Sequence, residues 1–179
     1  MMRYVMKQKL FTIGEKFSIF DQDDQDVYHC RAKIFTLGNQ LFFADARDQD
    51  IFFIKQKLLS WVSTHEIYQA DNVYATIKKE PFTFFKSVFH VDVVGKEPLE
   101  IVGNFFQHEY TFSRSGRQIA EVSKQFFAFS DTYGIDIAPG EDDALILATV
   151  VVIDMVSHNN KGRSSGSGFS VNIGSGHRR

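Results

Sequence analysis

The sequence predicts a mainly β protein: about twelve antiparallel strands in meander order, closed into a barrel around one apolar C-terminal helix. Three observations lead there. Five stretches share a hairpin plan and recur every 20 to 25 residues. Phenylalanine occurs 19 times and proline 3 times in 179 residues, so strand-favouring aromatics are plentiful and chain breakers few. One run near the C-terminus is apolar on nearly every helical face and must be surrounded if it folds as a helix.

The five units are Phe17–Phe35, Leu41–Leu59, Glu66–Phe82, Phe89–Phe106 and Tyr110–Phe127. Each reads as strand, polar turn and alternating strand, closed by an aromatic or aliphatic pair. Aligned on Ala32, Ile54, Ile77, Val102 and Val122, they stand 22, 23, 25 and 20 residues apart, a period that fits one hairpin per unit. Turn chemistry falls at Asp21–Asp26, Asp45–Asp50, Ala70–Asn72, Gly95–Pro98 and Ser113–Gly116. Alternation is clearest in Val73–Lys78 and Ala120–Lys124, one side small and apolar and the other polar. Met1–Ile13, carrying KQKLFTI, and Tyr133–Ile137 add two strands. A sheet of that size splits, curls or closes, and closure removes both edges.

Glu141–His158 follows Pro139 and Gly140. The segment is long for a strand and ordinary for a helix. Glu141, Asp142 and Asp143 stand where an N-cap and the helix dipole favour negative charge. A barrel of about a dozen strands has a lumen too wide for its own side chains to fill, so helix and barrel complete one another.

The predicted body is residues 1–158, with 16 basic and 22 acidic residues. Residues 159–179 hold five glycines, five serines, four basic residues and no acid. They read as a flexible tail with too little apolar surface to offset its ordering entropy. No signal-peptide pattern is seen, and the longest apolar run, Ala144–Ile153, is half the length of a membrane span. The expected compartment is the cytoplasm, with peripheral membrane attachment as its extension.

Several motifs invite chemistry. Asp21–Asp26 resembles a calcium loop, but the positions that should be Gly and Glu are Asp26 and Ala32; it is read as a solvated hairpin turn. His65-Glu66 and His108-Glu109 each open a strand without a second histidine at helical spacing, and His29 and His90 lie on other strands. Cys30 reads as a small apolar strand residue. No nucleophile elbow, phosphate loop or zinc spacing occurs, so no catalytic residue, metal ligand or cofactor is assigned. The near-neutral charge, −2, does not point to nucleic acid. The doublets Phe42-Phe43, Phe52-Phe53, Phe84-Phe85, Phe105-Phe106 and Phe126-Phe127 either sit at bends or expose an aromatic rim. Lys78, Lys79 and Lys86 flank Phe84 and Phe85, making these five residues the candidate patch for an anionic lipid surface.

The phrases MKQKLFTIGEKFSIFD, VYHCRAKIFTLG, YATIKKEPFTFFK, SDTYGIDI and EDDALILATVVVIDMV, in that order, resemble the LURP-one-related (YxjI-like) family of the tubby C-terminal-like superfamily, which includes the phospholipid scramblases. The resemblance covers residues 3 to about 157. It implies a twelve-stranded barrel threaded by a hydrophobic helix. It also implies an association with phosphoinositides or membranes, and it carries no lipid-binding residue over to a position here. The expected function is a non-enzymatic binding module for anionic lipid or a protein partner. The alternatives are an enzyme with its site at the barrel mouth, or a purely structural assembly protein.

Overall fold

The computed structural model describes residues 1–8, 15–33, 36–80, 87–124 and 132–158. Within them twelve strands form one closed antiparallel barrel. They are β1 Met2–Gln8, β2 Glu15–Asp21, β3 Asp26–Ala32, β4 Gln40–Asp45, β5 Asp50–Gln56 and β6 Thr64–Gln69. The second half is β7 Asn72–Lys79, β8 Ser87–Val93, β9 Leu99–Asn104, β10 Glu109–Arg114, β11 Arg117–Ser123 and β12 Thr132–Ile137. Each strand pairs with the next, and β1 pairs with both β2 and β12, so no edge is left for another chain to template. All five predicted turns join hairpin strands.

The first two hairpins show why the units repeat. Asp21 Oδ1 accepts the backbone N–H groups of Asp23 and Gln25, each at 2.9 Å. Asp45 Oδ1 accepts those of Arg47 and Gln49, also at 2.9 Å. Asp24 and Asp48 take the left-handed conformation at matching places, φ 58° and 63°, which Asp tolerates better than most residues. The acidic run at Asp21–Asp26 is therefore a turn whose leading carboxylate holds backbone.

Alternation puts Ala75 and Ile77 of β7, and Ala120 and Val122 of β11, in the core. One aligned position is off by a residue. Val102 is half-exposed, and its neighbour Ile101 fills the core with 0% exposure, set opposite the buried Phe89 of β8. The next residue, Gly103, has φ 152°, and a Cβ there would lie 2.4 Å from the Glu109 carbonyl oxygen. Only glycine fits this corner.

The helix, α1, spans Asp143–His158. Asp142 caps it, accepting the Leu145 N–H at 3.1 Å. Leu145 to Ile153 are buried throughout, each at 1% exposure or less, and Thr149 returns its hydroxyl to the Leu145 carbonyl at 2.8 Å. The N-terminus is tied to the wall. Tyr4 donates to Asp143 at 2.6 Å, Tyr74 donates to Asp142 at 2.5 Å, and Arg114 pairs with Glu141. The barrel core is this helix, as its composition required.

Strand alternation gives the barrel two unlike ends. The tight turns after β2, β4, β6, β8 and β10 share one end with the start of α1. The connections after β1, β3, β5, β7, β9 and β11 share the other, where α1 ends.

Candidate functional site

The loop end carries the largest exposed apolar side chains of the described residues. Two connections lie side by side there, 36–39 between β3 and β4 and 57–63 between β5 and β6. The Gln56 N–H donates to the Asn39 carbonyl at 2.9 Å, and the Asn39 N–H donates to Gln56 Oε1 at 3.1 Å. The longer loop is closed by the Lys57 N–H on the Thr64 carbonyl at 2.9 Å and braced by Ser60 and Thr64, whose hydroxyls are 2.8 Å apart. Gly38, at φ 79°, lets the loops touch, since a Cβ there would fall 2.7 Å from Leu58 Cδ2.

With its polar groups turned inward, this pair of loops presents Leu37, Leu58, Leu59 and Trp61 to solvent at 84, 56, 98 and 106% exposure. Four large apolar side chains on two adjoined loops form a patch of the kind that marks an interaction surface. Lys33, Lys55 and Lys57 are exposed around it, Lys57 lying 3.3 Å from Glu66. Below it, on the outer wall, Phe42, Phe53 and Tyr68 make a half-buried aromatic ladder with ring centroids 5.1 and 6.1 Å apart.

Lys78 and Lys79 lie near this end, on β7, whose Lys79 N–H donates to the Ser63 carbonyl at 3.0 Å. Lys78 is exposed and paired with Asp92 at 2.8 Å. Lys79 is half-buried with its ammonium 5.8 Å from the Phe89 ring, and burial lowers its pKa. Phe84, Phe85 and Lys86 lie outside the described residues, as do Phe126, Phe127 and the segment 159–179. In the described doublets on strands, parity holds: Phe43 and Phe52 are buried and Phe42 and Phe53 half-buried on the outer wall. At the β9–β10 corner Phe105 is buried and Phe106 is 56% exposed.

Beneath the loops the barrel interior turns polar. Residues Phe105–Gln107 form a 3-10 helix capped by His108 in the left-handed conformation. His108 therefore does not open a strand, as its pairing with Glu109 had implied. Its Nε2 lies 2.7 Å from Asp154 Oδ1 of α1, and its ring stacks on Tyr133 at 4.2 Å. His108 is 5% exposed and Asp154 1%. Burial and the Asp154 charge raise the pKa of the Tyr110 and Tyr133 hydroxyls. Cys30 is buried, and burial pushes its thiol up, which removes it as a nucleophile. These groups are closed off from solvent and tie the helix to the wall.

His65 is buried on the inner face of β6, and Glu66 points outward to Tyr68 and Lys57, as neighbours on a strand must. Burial pushes the His65 pKa down to about 4. The neutral form is thus favoured on folding. Its contribution is complete above the ordinary histidine pKa of about 6.5 and is lost as pH falls through the folded value, on the order of 3 kcal/mol. His65→Gln is expected to flatten the stability profile between those two values in chemical denaturation. An unchanged slope would contradict a neutral buried imidazole.

An open groove of about 540 Å³ lies outside the barrel over Met1, Arg3, Val5, Asp21, Gln22, Asp24 and Asp136, where Arg3 already clasps Asp136 through two bonds of 2.7 Å. Among the described residues no three His, Cys, Asp or Glu side chains converge as metal ligands, and no helix is long and apolar enough to cross a membrane.

The LURP-one-related family model matches residues 2–154. YxjI of Bacillus subtilis strain 168, an uncharacterized protein, is 30% identical over 164 residues, covering 92% of this chain and 99% of its own. An X-ray structure of a protein from Arabidopsis thaliana superposes with a TM-score of 0.61 at 13% identity, over 87% of this chain and 91% of the plant chain. That likeness bears on the fold.

Proposed function

The chain belongs to the LURP-one-related family, and from that premise we propose that it is a non-enzymatic binding module whose loop end docks peripherally on an anionic lipid surface. The observation that carries this reading is the braced, outward-facing set Leu37, Leu58, Leu59 and Trp61. The lumen that could have held a substrate is filled by α1. Tryptophan and leucine favour the interfacial region of a bilayer, and burying one such side chain contributes about 1.5–3 kcal/mol.

Lys33, Lys55, Lys57, Lys78, Lys79 and Lys86 add electrostatic attraction of about 1 kcal/mol each where they approach the surface. The ion pair with Asp92 and the burial of Lys79 reduce what Lys78 and Lys79 can give. The acidic excess of residues 1–158 opposes binding. The apolar loops should therefore dominate.

The test is vesicle co-sedimentation with neutral and anionic lipids at low and physiological salt. The full chain is expected to prefer anionic vesicles and to bind less as salt rises. Leu59→Ser with Trp61→Ser should lower partitioning by roughly ten-fold or more. Replacing Lys78, Lys79 and Lys86 with glutamine should lower it less. Equal partitioning to both lipids, or no loss on changing Leu59 and Trp61, would move the assignment to a protein partner.

A further inference from the structure

We propose that the Leu37–Trp61 rim of one copy docks into the groove over Arg3, Val5, Asp21, Asp24 and Asp136 of a second copy, joining copies head to tail. The inference goes beyond the lipid reading and shares only the rim with it.

The two surfaces stand at opposite ends of the barrel. The rim is at the loop end. The groove, about 540 Å³, lies at the turn end, over the start of β1, the first tight turn and the end of β12. Their charges are complementary. Residues 33, 36–39 and 55–63 hold three lysines and no acid. The turn end, residues 1–3, 21–26, 45–50, 69–72, 93–99, 114–117 and 138–143, holds twelve acids and five bases. The turn end of a second copy therefore offers the rim lysines a surface of opposite charge. The whole chain's net charge of −2 leaves little repulsion between copies.

The groove suits what the rim carries. Arg3 of β1 and Asp136 of β12 are directly paired, and two bonds of 2.7 Å between them fix the guanidinium in one plane. The Arg3 side chain is still 53% exposed. A fixed, neutralised and half-exposed guanidinium is a stacking surface for an indole, and Trp61 is the indole that the rim holds out. Arginine and tryptophan are residue types that concentrate interface energy. Val5 is half-buried on the outer wall and pairs with Gly134, which puts no side chain beside it, so a leucine of the rim has apolar surface to lie on. Asp21 and Asp24 stand at the groove's edge for incoming lysines, and Asp24 keeps 82% of its side chain exposed with Lys7 3.5 Å away. The contact joins unlike surfaces, so each copy retains one of each and association continues past the dimer.

The experiment is sedimentation velocity of the full chain without lipid, at low and physiological salt. Four apolar side chains make a small contact, so association is expected to appear between about 10 μM and about 1 mM chain. The mass should rise past that of a dimer, and association should weaken by roughly five-fold or more at the higher salt. Emission of Trp61, the chain's one tryptophan, should shift to the blue as copies associate. A chain that is monomeric throughout, or that stops at a dimer, overturns the proposal, and this series needs no variant. Two variants locate the contact. Leu59→Ser with Trp61→Ser removes the rim, and Arg3→Ser with Asp24→Asn removes the groove. Each alone is expected to stay monomeric. Mixed in equal amounts they should form a dimer and nothing larger, since one keeps a groove and the other a rim. Undiminished association of the groove variant alone overturns the proposal and assigns the rim to a second rim. So does the absence of a dimer in the mixture when both variants melt as the unaltered chain does.

Anionic vesicles separate this inference from the docking reading. Head-to-tail association with no vesicle binding upholds the contact between copies and removes the lipid surface. Vesicle binding that depends on Trp61, by a chain that stays monomeric in solution, keeps the docking reading and removes this contact.

Discussion

Val151→Asp is expected to abolish cooperative folding or to lower Tm by at least about 10 °C. Val151 is at the centre of α1 with 0% exposure, between Val150 and Val152, which are equally buried. The twelve strands close around it on every side. A carboxylate placed there has no water. It either stays ionised at a cost of several kcal/mol or takes up a proton. That cost is comparable to the whole stability of a domain, about 5–15 kcal/mol. For a chain of this size each kcal/mol moves Tm by about 2–4 °C. Val151→Ala separates charge from volume, since it removes only methyl groups and should retain a cooperative transition. The aspartate variant should also be least destabilised at acidic pH, where its carboxyl is neutral. Thermal melts followed by circular dichroism decide the matter. A soluble aspartate variant with an unchanged Tm would remove α1 from the barrel core.

The helix was legible because its requirement is compositional: a run apolar all round has to be enclosed, whatever encloses it. The hairpins were legible because turn chemistry and period-2 alternation are local. Register was less so. Val102 and Ile101 are both β-branched neighbours, and only the pairing of Ile101 with Phe89 says which one faces inward.

The loop rim was half visible. Leu58 and Leu59 stood out as the pair closing the second unit, yet alternation assigns a side only while a strand lasts, and β5 ends at Gln56. Beyond it, exposure depends on which polar groups the loop turns inward, here Ser60 and Thr64. Trp61 carried no repeat signal at all. In the doublets Phe42-Phe43 and Phe52-Phe53 the outward members find one another across the sheet, 5.1 Å apart, and the strand register shifts directly beside them, between Phe43 and Ala44.

His108 and Asp154 are 46 residues apart in sequence, and no spacing rule joins them. A signal was nonetheless present. Asp154 is the one charged residue between Ala144 and Val156, and an acid on a helix enclosed all round must meet a polar partner on the wall.

Removing that partner gives the second large effect. His108→Leu takes the imidazole away from a carboxylate that is 1% exposed and was 2.7 Å from it. The loss is expected at about 3–5 kcal/mol, as for a buried pair broken from one side. The left-handed backbone at position 108, φ 55°, adds little to this, because histidine already bears the Cβ cost that leucine would. Asp154→Leu should cost less, because it leaves an unmade hydrogen bond at the ring rather than a buried carboxylate deprived of its ring partner, about 1–3 kcal/mol. The double variant should recover most of the loss, since two apolar side chains in place of a buried pair are often neutral or stabilising. Chemical denaturation of the four proteins at one pH gives the coupling, expected on these figures at about 4 kcal/mol or more. Strict additivity of the two single changes would show that the contact between α1 and the β9–β10 corner does not fasten the helix, and that packing alone seats it.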